Sequence, residues 1–260
     1  MAEADGIHYS CDGRVARIVL ARPEAANAFD IAMAEAFATA ASAAGQAVKN
    51  GARVVVLTAE GRIFSVGGDL STFAGADNPV EPVRRVAGGI HAALAALAEV
   101  PVPVVGAVGG TAAGGGVGIA LAPDIVLASE SAKFVAAYTA AGLTPDCGTS
   151  WQLARAGSAV SMDLLLTNRP LGAAEAQRLG LVSRVVPAEA LEKETEELVG
   201  QLSAGSRSAA VATKVLLRAP RRDFAAHLEA EADGITRAVA GPDGREGIRA
   251  FLEKRTPLFG

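Results

Sequence analysis

The sequence predicts an α/β fold that closes with a helical segment, and three observations predict it. Short runs of β-branched residues alternate with alanine-rich stretches of helical periodicity. Two glycine-containing turns directly follow β-like runs. From about Leu191 onward the pattern becomes almost wholly helical. The chain has 260 residues, half of them hydrophobic, which is enough to bury a substantial core.

The first expected strand is Arg14 to Leu20, "RVARIVL", where polar and apolar residues alternate as on a half-buried strand. A helix follows over Ile31 to Lys49. Ala52 to Glu60, "ARVVVLTAE", is a β-branched run of the kind covered on both faces. Glu81 to Glu99 places Val83, Val86, Ile90, Leu94 and Leu97 on one face of a second helix. Val102 to Gly110 and Asp124 to Ser129 read as further strands, and Leu181 to Pro187 as a weaker one. Beyond it come "LEKETEELVGQLSA", "SAAVATKVLLRA", "DFAAHLEAEADGITRAVA" and "REGIRAFLEK", all helical in pattern. The expected division is a core over 1–200 and a helical C-terminal segment over 201–260.

Composition excludes several classes of function. A formal net charge of −4 gives no basic footprint for nucleic acid or an anionic membrane. Val100 to Pro123 is free of charge, but its seven glycines and three prolines fit a strand, a turn and a helix start rather than a bilayer span. The acidic N-terminus lacks the apolar core of a secretory signal. Two cysteines, Cys11 and Cys147, are too few for a disulfide framework, so a cytoplasmic location is expected. His8 and His227 show no metal spacing, and no metal or redox cofactor is expected.

The two glycine turns are "RIFSVGGDLS" (Arg62 to Ser71) and "GGTAAGGGVGIALA" (Gly109 to Ala122). Neither continues into Gly-Lys-Ser/Thr, so neither is a phosphate loop. The dinucleotide fingerprint fails as well, because Ile119 or Leu121 stands where its third glycine belongs. Glycine does let main chain approach a ligand closely, and a helix starting at the triplet would present free N–H groups. Asp146 is the third candidate. It is the single charged residue between Lys133 and Arg155, in "YTAAGLTPDCGTSWQL". An aspartate after proline also caps turns, so its position alone does not make it catalytic.

In order and at their spacing, "LARPEAANAFD", "FSVGGDL", "GGTAAGGGVGIALAPDIVLASESAKF", "GLTPDCGTS" and "REGIRAFLEKRTPLF" resemble the enoyl-CoA hydratase/isomerase (crotonase) family over nearly the whole chain. The resemblance implies a crotonase-like spiral of ββα units with a helical C-terminal trimerisation segment, assembled as a trimer or dimer of trimers. It implies an acyl-CoA thioester as substrate, with coenzyme A entering only as part of that substrate. It places oxyanion-hole N–H groups at Gly68 and Gly115. It places coenzyme A contacts at Ala25, Ala26, Val66 and Leu70, with Phe251 and Lys254 at the nucleotide.

Hydratases of the family use two glutamates, and their positions here are Gly118 and Tyr138. Both acids are missing, which speaks against ordinary hydration. "GLTPDCG" resembles the 1,2-epoxyphenylacetyl-CoA isomerase and Δ3,Δ2-enoyl-CoA isomerase branch, which implies Asp146 as a single acid–base. The chain also resembles 4-chlorobenzoyl-CoA dehalogenases around "SAKFV" and "LLLTNRPL". There Asp146 would be a nucleophile, His91 the base that activates water, and Tyr138 would replace a tryptophan. A third reading is a family member that binds acyl-CoA without turnover.

Overall fold

The structure is a computed structural model and describes residues 2–74, 80–218, 234–235 and 241–259. Strands β1 (Ala2–Ala4), β2 (Ile7–Cys11) and β3 (Val15–Leu20) form an antiparallel meander. Helix α1 (Ile31–Lys49) follows, capped by the Asp30 carboxylate, which accepts the Met33 N–H at 2.9 Å. Its alanines, with Met33, Phe37 and Val48, bury one face, so the helical period read in the sequence is the one that packs.

From here the chain repeats one unit: a strand for a large sheet, a short strand for a small one, then helix. The first unit is β4 (Val54–Ala59), β5 (Ile63–Ser65), α2 (Leu70–Ala74) and α3 (Val80–Glu99). The second is β6 (Val104–Val108), β7 (Thr111–Ala113) and α4 (Gly115–Leu121). The third is β8 (Ile125–Ser129), β9 (Lys133–Val135), α5 (Thr149–Ala154) and α6 (Ser158–Thr167). Then come β10 (Leu171–Gly172), α7 (Ala173–Arg178), β11 (Arg184–Val186), α8 (Leu191–Ala204), α9 (Arg207–Arg218) and α10 (Pro242–Leu252).

The large sheet has the order β1-β2-β3-β4-β6-β8-β11 and is parallel from β3 onward. The small sheet runs β10-β9-β7-β5. One face of the large sheet carries the main core with α1 and α3, including Phe29, Phe37, Leu57 and Ile90. The other face packs Val54, Val56, Val105 and Leu127 against Leu198 and Val199 of α8. Strand β4 is buried on both faces, which is why it reads as an unbroken apolar run.

The expected strands are observed within one to three residues of their ends, and α1 has the bounds read from the sequence. One detail differs. Val83 is exposed rather than part of the buried stripe of α3. The stretch "DFAAHLEAEADGITRAVA" lies outside the described residues apart from 234–235. No helix among the described residues is long and apolar enough to cross a membrane.

Helix α9 has no buried residue of its own, yet one polar clamp fixes it. The Lys214 ammonium and the Arg218 guanidinium each meet Asp124 at 2.6 Å, and Asp124 also accepts the Val104 N–H at 2.8 Å. Lys214 further donates to the Val102 carbonyl at 2.8 Å. Burial pulls the Lys214 ammonium below the usual lysine range, and the Asp124 carboxylate opposes that shift.

Candidate active site

The turn "PEAAN" is held by Asn27, which is wholly buried in the left-handed conformation. Its amide donates to the Glu60 and Ile63 carbonyls at 2.9 Å, and its carbonyl oxygen accepts the Arg22 N–H at 2.8 Å. The Ser65 hydroxyl donates to the Asn27 carbonyl at 2.8 Å and accepts the Gly67 N–H at 3.0 Å. Val66 N–H donates to the Ala26 carbonyl at 3.2 Å. The fold thus brings together Ala26 and Val66, two of the positions assigned to coenzyme A. Leu70 opens α2 and is exposed.

The two glycine turns touch. A β-carbon on Gly67 would fall 2.6 Å from the Gly115 nitrogen, and Gly67 has φ +81°, so only glycine fits. Gly115 is the first residue of α4, where a helix leaves its N–H groups unsatisfied. Among the described residues, neither the Gly68 N–H nor the Gly115 N–H has a hydrogen-bond acceptor. Such donors can stabilise an oxygen that gains negative charge, each for about 3–4 kcal/mol of barrier.

The segment carrying Asp146 packs directly against this helix start. A β-carbon on Gly115 would meet the Cys147 sulfur at 2.9 Å. A β-carbon on Gly118 would lie only 2.0 Å from the Cys147 carbonyl oxygen. The Thr149 hydroxyl donates to the Gly114 carbonyl and accepts the Gly118 N–H, both at 3.2 Å. Tyr138 is buried, and its hydroxyl donates to the Asp146 main-chain carbonyl at 2.9 Å. Burial is the main cause pushing the Tyr138 phenol up to about 12.

Asp146 does not stand alone, as its sequence surroundings suggest. Its Oδ1 is 2.5 Å from His91 Nε2 and accepts the Cys147 N–H at 2.6 Å. His91 and Asp146 are 53% and 38% exposed at the side chain, so a ligand can reach both. With the carboxylate ionised, the imidazole hydrogen has to sit on Nε2. Cys147 is buried with φ +51°, and burial, then the adjacent Asp146 charge, pushes its thiol up.

Asp69, beside the first glycine turn, is occupied otherwise. It receives the Ser71 hydroxyl at 2.6 Å and N–H at 3.1 Å, with Arg22 nearby. The Ser71 hydroxyl, more than any other contact, keeps its carboxyl below the usual range.

The other predicted positions lie elsewhere. Ala25 ends a short 3-10 turn. Lys254 is exposed in a left-handed conformation, with no hydrogen-bond or ion-pair partner among the described residues. Phe251 is on α10, and its side chain lies outside the described residues. His8 pairs with Glu60 at 3.4 Å, away from Asp146, and His227 lies outside the described residues.

Sequence reasoning missed Asn27, Ser65 and Thr149, since their roles are hydrogen bonds to main chain in other segments. It also missed that His91, Asp146 and Cys147 offer ligand atoms within 4.8 Å of one another.

The paired glycine turns, two N–H groups without an acceptor among the described residues and a neighbouring carboxylate thus meet at the start of α4. The sequence profile of the enoyl-CoA hydratase/isomerase family matches residues 11–260, and the chain belongs to that family. It is 38% identical to a probable enoyl-CoA hydratase of Rhodobacter capsulatus, over 97% of each chain. It is 35% identical to the 1,2-epoxyphenylacetyl-CoA isomerase of Escherichia coli, over 94% of each. The crystal structure of an enoyl-CoA hydratase from Polaromonas matches with a TM-score of 0.86 at 34% identity, covering 98% of this chain and 99% of that one. The protein is thus an acyl-CoA enzyme of a family that includes both hydratases and isomerases.

Proposed function

We propose that this chain isomerises an enoyl-CoA or epoxy-acyl-CoA thioester, with Asp146 as the group that moves the proton. The observation that carries the proposal is the contact between Gly118 and Cys147. The position of one hydratase acid is filled by a neighbouring carbonyl, and the other is Tyr138, whose hydroxyl is turned onto main chain. A hydratase needs a second group to activate water, while an isomerase needs one base that takes a proton from C2 and returns it at C4. Gly68 and Gly115 would hold the enolate oxygen between those two steps. His91 would orient the carboxylate.

Coenzyme A would bind along Ala25, Ala26, Val66 and Leu70, and no cofactor beyond the substrate's own is required. A homotrimer or dimer of trimers fits the exposed Leu217, Leu252 and Leu258 of the C-terminal segment.

The deciding experiment is isomerisation of a 3-enoyl-CoA by wild type and Asp146→Asn, with crotonyl-CoA hydration measured alongside. A wild-type rate at least about 100-fold above that of the variant is expected, with little hydration. Equal rates for the two proteins would refute the assignment.

The contact between His91 and Asp146 favours one second reading, hydrolytic dehalogenation. There Asp146 would attack the aryl carbon and expel halide, and His91 would activate the water that cleaves the ester. Chloride release from 4-chlorobenzoyl-CoA without any enoyl isomerisation would establish that reading instead. Tight acyl-CoA binding with no turnover of enoyl, epoxy or halo thioesters would mark a non-catalytic binder.

A further inference from the structure

We propose that His91, Asp146 and Cys147 form a binding site for one zinc-like divalent cation, and that its occupation shuts off the carboxylate. The three residues supply an imidazole nitrogen, a carboxylate oxygen and a sulfur, all within 4.8 Å of one another. They come from separate parts of the fold, since His91 lies on α3 and the other two precede α5. The half-exposed pair gives an ion a way in, while buried Cys147 closes the inner side.

The donor set selects the metal. Nitrogen, oxygen and sulfur together suit zinc and its neighbours, whereas magnesium and calcium take oxygen ligands. Metal–ligand bonds of about 2.0–2.3 Å in a tetrahedron put ligand atoms about 3.4–3.6 Å apart. The widest spacing has to contract by about 1 Å, and the 2.5 Å contact between His91 and Asp146 has to open by about as much. Torsions of two half-exposed side chains supply both changes. Three protein ligands leave a fourth position for solvent.

The protons balance. As the metal–sulfur bond forms, the Cys147 thiol proton leaves to solvent. The imidazole hydrogen moves to Nδ1, freeing the Nε2 lone pair for the metal. Asp146 gives up its hydrogen bond to His91 and takes the metal instead. Once held there, it cannot accept a substrate proton, so the site is inhibitory and not a cofactor site.

The test uses the full chain, stripped of metal and titrated with Co2+ as a spectroscopic probe. One equivalent is expected to produce tetrahedral d–d bands and a thiolate-to-cobalt charge-transfer band. Cys147→Ala should abolish the charge-transfer band, and Cys11→Ala, at an exposed position, should keep it. His91→Gln should weaken binding by more than about 100-fold, the upper cost of losing an outer-shell partner; being exposed, it tests the site even if the cysteine variant fails to fold. Zn2+ should displace the cobalt and reduce thioester turnover in proportion to occupancy, reversibly with EDTA. No charge-transfer band, a band that survives Cys147→Ala, or full turnover with zinc bound would each overturn the proposal. The cobalt spectra need no turnover, so they remain decisive even if every thioester assay fails and the isomerase reading falls.

Discussion

The carbonyl oxygen of Cys147 fills the space that a side chain at Gly118 would need, 2.0 Å from where a β-carbon would be. The space beside the missing hydratase acid is therefore occupied by the segment after Asp146. Gly118→Glu is expected to create no hydratase, as crotonyl-CoA hydration would show. Gly118→Ala should already cost about 1–3 kcal/mol through overpacking, seen as a lower Tm.

Tyr138 ties the main chain at Asp146 to the body of the protein. Tyr138→Phe removes that donor and leaves the part-buried Asp146 carbonyl with the Thr149 N–H as its remaining partner. A destabilisation of about 1–2 kcal/mol is expected, with kcat falling more than KM changes. Steady-state kinetics and denaturant melts check the two parts separately.

The same phenol predicts an alkaline transition. Its folded-state value of about 12 lies above the ordinary tyrosine value of 10.0, so the folded protein keeps the proton longer than the unfolded chain. That contribution is complete below pH 10 and is lost as pH rises toward about 12. Wild type should lose stability more steeply than Tyr138→Phe over this interval, read as Tm against pH.

Asn27 has three partners, and all are main-chain groups. Asn27→Ala strands buried donors and acceptors at about 1–3 kcal/mol each. The variant should melt well below wild type. Ser65→Ala should instead act locally, freeing the Gly67 N–H and lowering kcat through the glycine turn it orders.

Breaking the clamp on α9 is costly because it leaves charge half-buried. Asp124→Asn should cost about 3–5 kcal/mol, and protease cleavage within Arg207–Arg218 should accelerate. Lys214→Met should cost less, since the Arg218 contact to Asp124 remains.

The sequence shows α1 and β4 clearly because each carries its own local signal: an aspartate cap with a helical apolar period, and an unbroken β-branched run. Strands β5, β7 and β9 have three residues each and exist through pairing with one another, so no local pattern announces them. The glycine turns were legible through composition, since close main-chain approach demands glycine. The meeting of His91 and Asp146 was legible only through the dehalogenase resemblance and not from any local pattern, because 55 positions separate them and the crossing of α3 past the third unit joins them. The filling of the Gly118 space was invisible for a stronger reason: it is made by a carbonyl, which every residue has.

The clamp of Lys214 and Arg218 on Asp124 has a geometric meaning beyond its strength. A greasy helix face can slide or rotate on its bed at little penalty, but two cations gripping one carboxylate act as a locating pin. They fix the bearing of α9, the helix that precedes the C-terminal stretch, against the residue before β8. In any ring of copies joined through that stretch, an error in that bearing would recur at each subunit and compound around the circle. Whether the ring closes would then depend on one aspartate at the mouth of β8.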